Sequence, residues 1–316
     1  IREAAGPETS LLGCGCPLGS ALGIVDLMRI SEDVSPTWEP EFYGVSTPFK
    51  HEPGMPGARN AIQNILARSE MDHYWWGNDP DCLLVRPDSR LTLAEVQSLA
   101  TVIGITGGAM LISDDLTKLP LERLRIAQNL IPVISSNPQV LDRFERTLPC
   151  RVKHVLTNAA GEYTLLAAFN WQDQPISLRI DLDEWKLPSE QTWLAREFWS
   201  GKILSISREI ILEQVPAHGV SLLAVHPLSD KPVYLGGDWH FSQGIELKFW
   251  DLGADELRFS LDLGRQVRGK GYLYSPVTPL EILQDEVTVP WVSRNGNILE
   301  IPLELSQETR IRICYP

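Results

Sequence analysis

The sequence predicts an α/β fold over roughly its first 145 residues and an all-β fold over the remainder, on two contrasts of pattern. In the first part, short apolar runs alternate with segments of helical spacing. Beyond Arg151 the chain turns to alternating or β-rich stretches divided by turn residues. Three segments follow: 1–145, 146–228 and 229–316, the last two joined by a plausible linker at Pro227–Pro232.

The α/β part is organised around Leu11–Val34. Gly23 to Met28 is short and largely apolar and reads as a buried strand of a parallel sheet, with polar residues where it ends. Active-site groups of α/β proteins collect at the carboxyl ends of such strands. Arg29 and Asp33, four apart, could form a charge-assisted pair that positions the carboxylate and tunes its proton affinity. An ordinary salt bridge at a strand end is the alternative. A Pro- and Gly-rich loop from Pro36 to Gly57 follows, carrying Trp38, Phe42, Tyr43 and Phe49. Ile62, Ile65 and Leu66 fall at helical spacing between Ala58 and Tyr74. Thr92 with Glu95 is a capping box for a helix running towards Ile105 and broken at Gly107-Gly108. A second apolar run, Ala109–Ile112, ends in Ser113-Asp114-Asp115, and Pro120 with Glu122 opens a helix through Leu130 that Pro132 closes. Two apolar runs thus deliver carboxylates at their ends, and a less regular segment supplies Asp79 and Asp81. Acids converging from separate strands suit acid/base or carbohydrate chemistry, although a single Asp beside a strand is more often a cap or turn former.

In the β part, strands are expected over 162–170, 176–182, 192–198, 203–212 and 219–225. A second block from Pro232 to Pro316 carries Gly236-Gly237 and Arg294-Asn295-Gly296-Asn297 as turn signals. The two blocks could be one extended sandwich. Trp171, Trp185, Trp193, Trp199, Trp239, Trp250 and Trp291 would stack on sugars if exposed, but burial in sandwich cores is the commoner use.

Composition narrows the function. With 28 Lys and Arg against 41 Asp and Glu, the net charge is −13, and no basic footprint stands out for nucleic acid or an anionic membrane. A neutral ligand such as a sugar is compatible with that balance. No apolar run is long enough to span a bilayer, no signal peptide is visible, and a cytoplasmic setting is expected. Five scattered cysteines make no disulfide framework, and Cys14-x-Cys16 lacks a second pair at zinc spacing. No metal or cofactor is expected.

Four blocks taken together are more specific than any of these. The order Gly13-Cys14-Gly15-Cys16-Pro17-Leu18, Val25-Asp26-Leu27-Met28-Arg29-Ile30-x-x-Asp33, Trp76-x-Asn78-Asp79-Pro80-Asp81-Cys82-Leu83 and Ser113-Asp114-Asp115-Leu116 resembles the α-galactosidases of glycoside hydrolase family 36, the melibiase type. The resemblance covers about Leu11 to Leu130. It implies the last part of a (β/α)8 barrel, from about the fifth strand to the eighth helix, followed by the family's C-terminal antiparallel β-sandwich and a further β-rich module. It also implies that Asp33 is the general acid/base, that Arg29 is the arginine beside it, and that Cys14 lines the galactose pocket. Asp81 would lie close to the sugar, while Asp114 and Asp115 take structural roles. Cys16 and Leu27 depart from the family's pattern. The family's nucleophile, an Asp in a Lys-x-Asp block on the fourth barrel strand, has no counterpart before Cys14.

The expectation is therefore a C-terminal part of a retaining α-galactosidase-like hydrolase acting on an α-galactoside or oligosaccharide and inactive alone. Uncovered sheet edges would predict pairing with a missing N-terminal barrel half or with a second copy. Two alternatives are a galactosyl transferase of the raffinose-synthase type, with 36–57 as acceptor loop, and a non-catalytic carbohydrate-binding protein.

Overall fold

The computed structural model describes residues 1–42, 45–46, 52, 54–134 and 137–316. The architecture is mostly β. Its N-terminal portion holds a three-stranded parallel sheet in the order Leu12–Gly13, Leu27–Arg29, Gly77–Asp79, and a second parallel pair, Cys82–Leu83 with Leu111–Ile112. Met28 stands between Gly13 and Asn78, and Arg29 is level with Asp79. The strand expected over Gly23–Met28 is shorter and later. The chain first makes a helical turn at Leu18–Ala21, and the Ile24 and Val25 amides donate back to the Ala21 carbonyl at 3.0 and 3.3 Å. Gly23 supplies the left-handed φ of 72° that this reversal needs, so Ile24 points to solvent and extension begins only at Leu27.

Three helices longer than one turn lie around these strands among the described residues. Ala58–Arg68 continues into a 3-10 turn at Ser69–Met71, Leu93–Thr106 is the longest, and Leu121–Gln128 follows. The capping box forms as the sequence reads: Thr92 Oγ1 accepts from the Glu95 amide at 3.3 Å, and Glu95 Oε2 accepts from the Thr92 amide at 2.6 Å. The helix ends at Gly107, and Gly108 (φ 88°) then brings the backbone against Asn78. A Cβ there would sit 2.3 Å from the Asn78 carbonyl oxygen, which accepts from the Ala109 amide at 2.7 Å.

Beyond these lies a six-stranded antiparallel sheet ordered Ile203–Ile206, Trp193–Glu197, Val220–Pro227, Gly161–Phe169, Arg151–Asn158, Gln139–Val140. Its last strand begins before residue 146, the expected segment boundary. One face covers the helices and the other covers the two-stranded ribbon Ile176–Asp181 with Glu209–Val215. Leu165, Ala167 and Phe169 therefore join the helical core, while Leu166 and Ala168 pack with Ile180, Trp185 and Leu212. Burial on both faces is why Gly161–Phe169 and Val220–Pro227 read as nearly continuous apolar runs. The segment expected as one strand over 203–212 bends at Ser207-Arg208 instead. Its first half edges the large sheet, and its second half crosses to the ribbon.

The C-terminal residues form a separate stack. A four-stranded sheet (Val233–Gly237, Val267–Tyr274, Ile298–Leu305, Val292–Arg294) faces a five-stranded one (Leu247–Leu252, Glu256–Leu261, Thr309–Cys314, Glu281–Gln284, Val287–Thr288). Tyr234, Trp239, Leu257, Phe259, Leu273, Ile301 and Ile313 are buried between them. Asn295 and Gly296 both take positive φ in the expected turn, 49° and 80°. The two stacks meet through Arg196, whose guanidinium lies 4.2 Å over the Tyr272 ring and donates to the Gly237 carbonyl at 3.0 Å and to Gln243 Oε1 at 2.8 Å. Among the described residues no helix is long and apolar enough to cross a membrane.

Candidate active site

The parallel register sets the site. Because Leu27–Arg29 pairs level with Gly77–Asp79, the Arg29 guanidinium leaves its strand beside the turn Asp79-Pro80-Asp81. Arg29 Nε donates to Asp79 Oδ2 at 3.0 Å, one terminal nitrogen lies 3.1 Å from Asp81 Oδ1, and the other donates to Asp33 Oδ1 at 3.2 Å. One cation thus holds three carboxylates. Burial lowers the Arg29 pKa, but the charges of Asp79 and Asp81 outweigh it, so the net shift is upward and the cation is secured.

The three acids differ in access to water. Asp79 is fully buried and its second oxygen accepts from the Asp81 amide at 2.8 Å. Asp81, with a side chain 9% exposed and a left-handed backbone (φ 74°), accepts from the Val34 amide at 2.7 Å. Both are committed to structure. Asp33, 74% exposed, is the acid of the three open to solvent. Its loop is tied at both ends: the Gly57 amide donates to the Asp33 carbonyl, the Ala58 and Arg59 amides donate to the carbonyls of Thr37 and Trp38, and Val34 is held by Asp81. A further tie comes from Trp38, which stacks on His218 at 4.3 Å, the imidazole standing between Glu95 and Asp173 at 2.6 and 2.9 Å.

Cys14 is a free, exposed thiol directly after the strand Leu12–Gly13, near enough to Arg29 that its thiolate form would raise the guanidinium pKa. Cys16 is also free, with its thiol 3.9 Å from Met28 Sδ. Burial and then the Asp81 carboxylate push the Cys82 thiol up to about 11, so it stays protonated. Asp114 accepts from the Val85 and Arg86 amides and pairs with the Arg86 guanidinium at 2.8 Å, fully buried. Asp115 caps the short 3-10 turn Leu116–Lys118. Among the described residues no three His, Cys, Asp or Glu side chains come together to hold a metal ion.

Arg29, Asp33, Asp81 and Cys14, all singled out from the sequence, therefore gather at one strand end. Asp79 was read among the converging acids but not as a site residue. It sits in the quoted Asn78-Asp79-Pro80-Asp81 motif, but only the register shows that it, as well as Asp81, grips Arg29. Of the loop at 36–57, Tyr43 and Phe49 lie outside the described residues. Of the tryptophans, Trp185, Trp193 and Trp239 are core residues, and Trp171, Trp199, Trp250 and Trp291 are half-buried against the cores.

No family model matches the chain. Solved structures do resemble it. α-Galactosidase I from Mortierella vinacea superposes with a TM-score of 0.51 at 20% identity, covering 65% of this chain and 54% of that one. A wild-type family GH27 β-L-arabinopyranosidase from Geobacillus stearothermophilus gives 0.53 at 16% identity, covering 70% and 51%. Over the superposed portion, the fold resembles that of these two glycoside hydrolases. The chain spans about half the length of these two structures.

Proposed function

We propose that the chain is the C-terminal part of a retaining α-galactosidase-like hydrolase of family 36, in which Asp33 is the general acid/base. The observation that carries the reading is the Arg29 cluster, because it buries Asp79 and Asp81 in ion pairs and leaves Asp33 as the exposed carboxylate of the three. Asp33 would protonate the departing glycosidic oxygen and then, as a carboxylate, take a proton from the attacking water. Arg29 keeps it in place, and Cys14 and the Asp81 turn border the sugar. In this reading the five short parallel strands belong to a (β/α)8 barrel within 1–145, 146–228 forms the C-terminal sandwich, and 229–316 is an added β module. A retaining mechanism needs a second carboxyl about 5 to 5.5 Å from the first. No Lys-x-Asp occurs anywhere in the chain, so the nucleophile is assigned to a segment outside these 316 residues.

The test has two parts. This chain alone should not hydrolyse a p-nitrophenyl α-galactoside, and robust turnover abolished by Asp33→Asn would refute the assignment of the nucleophile elsewhere. In a protein that joins this chain to a nucleophile-bearing segment, Asp33→Asn should lower kcat/KM for oligosaccharides by about 10²–10⁴. The loss should be smaller for the p-nitrophenyl substrate, whose leaving group needs no proton. Equal losses on both substrates would remove Asp33 from the acid role.

A further inference from the structure

Four cavities open along the seam between the helices and the two β stacks, and each shares residues with the next. One of about 440 Å³ lies over Glu197, Trp199, Lys202 and Ser221. It shares Gln97 and Trp199 with one of about 360 Å³ that reaches Arg125, Asn129 and Asp238. Those last three also line a cavity of about 690 Å³ that extends to Arg265 and Lys270. Lys270 in turn lines the fourth, about 670 Å³, with Tyr272, Asn295 and Glu300, and this one returns to the first through Ser200, Lys202 and Leu204. Through these shared residues the four form a series, a trough whose lining includes the Lys270–Glu300 ion pair at 2.6 Å. None of Cys14, Arg29, Asp33 or Asp81 lines it.

We infer that this trough is a second carbohydrate site that binds a neutral oligosaccharide chain, separate from the Arg29–Asp33 cluster. Each cavity is of the size that holds a small ligand, so the trough accommodates several sugar units in succession. A sugar hydroxyl both donates and accepts, and the lining offers both kinds of group throughout. The amides of Gln97, Asn129 and Asn295 stand among Lys202, Arg125 and Lys270 on one side of the balance and Glu197, Asp238 and Glu300 on the other. Acids and bases are close to equal there, whereas the whole chain carries −13. A lining of seven Lys and Arg against six Asp and Glu matches a neutral polymer and gives an anionic one no strong added attraction. Trp199 supplies an aromatic surface in two of the cavities. Its indole N–H is fixed to Thr101 Oγ1 at 3.0 Å and Phe198 meets it edge-on at 4.9 Å, so the ring plane is set before any ligand arrives. The choice of carbohydrate as ligand class rests on the proposed hydrolase reading.

The experiment is affinity electrophoresis of this chain through gels containing galactomannan, with polygalacturonate as the anionic comparison. Galactomannan should retard the chain, and Asp33→Asn should migrate identically. Gln97→Ala and Asn295→Gly should each weaken retardation about tenfold, the value of one hydrogen bond to a ligand. Both positions tolerate the change: Gln97 is on a helix surface, and Asn295 already has a backbone suited to glycine. Unchanged melting of both variants is the control for folding. The inference is overturned by an absence of retardation, by full retardation of a variant carrying both Gln97→Ala and Asn295→Gly, by retardation in polygalacturonate alone, or by its loss in Asp33→Asn. Hydrolysis is not read, so failure of the catalytic reading leaves this result standing, and failure here leaves the catalytic reading untouched.

Discussion

Replacing Arg29 by Met tests whether the guanidinium is an organiser or a bystander. The side chain is 15% exposed and pairs with Asp79, at 0%, and Asp81, at 9%. Met keeps most of the apolar volume, so the change chiefly strands two buried carboxylates, a loss of about 3–5 kcal/mol. Asp33 contributes little to the same pairing energy, because at 74% exposure its ion pair is worth about 0–1 kcal/mol. Hydrogen exchange separates the two variants. The Ile30 amide donates to the Asp79 carbonyl at 3.0 Å, so peptides spanning 27–34 and 77–85 report directly on the junction. With about 1.4 kcal/mol per decade, Arg29→Met should accelerate exchange there by roughly two to three and a half decades, and Asp33→Asn by less than one. Adding Asp79→Asn to Arg29→Met should recover part of the loss, since the amide keeps an acceptor and removes a stranded charge. Exchange in Arg29→Met within threefold of the parent, or Asp33→Asn equally damaging, would refute the clamp.

Three other outcomes follow from the buried ionisable groups and one close approach. Burial depresses the pKa of His154 and His226 to about 4 and of His240 to about 3, below the unfolded value of 6.5. Folding therefore favours their neutral forms, and that stability is whole above pH 6.5 and drains as pH falls towards 4, by roughly 3 kcal/mol per histidine. Urea midpoints measured from pH 7 to 4 should drop steeply, and His226→Gln should flatten the slope; a flat profile in the parent would contradict it. Glu246, fully buried, has its pKa raised by burial, so its contribution is greatest at low pH and is lost as pH rises past the ordinary carboxylate range. Glu246→Gln keeps an acceptor for the Tyr234 hydroxyl (2.8 Å) and should raise the neutral-pH melting temperature, whereas a lowered one would mean the charge is needed. Gly108→Ala should cost more than about 2 kcal/mol by urea titration, because the new Cβ meets the Asn78 oxygen at 2.3 Å in a left-handed conformation; a change under 0.5 kcal/mol would show that the turn can yield.

What the sequence made legible follows from how local each signal is. The capping box at Thr92 and Glu95, the breaks at Gly107-Gly108 and the turn at Asn295-Gly296 depend on neighbours within a few residues and appear where they were read. The grouping of Arg29 with Asp33 is one helical-type spacing and was likewise visible. Asp79 was not, because its bond to Arg29 spans 50 positions and exists only through strand register. The shortened strand at Leu27–Arg29 has the same origin as the misread one at 203–212. Apolar periodicity reports burial, and Ile24 or the bend at Ser207-Arg208 shows that burial can be exchanged for a change of direction. The trough had no sequence signal at all, since its residues come from two helices and both β stacks.

The long helix Leu93–Thr106 shares a single core with Ile62, Ile65 and Leu66 on one side and with Leu165, Ala167, Leu222 and Ala224 on the other. The expected boundary near residue 145 is thus a border in the order of the chain and not in the material that holds it. Proteolysis or gene truncation there would bare the same greasy surface on both products, so neither half should survive as a well-behaved species. Any engineering that swaps the β stack for another must bring its own lid for that helix.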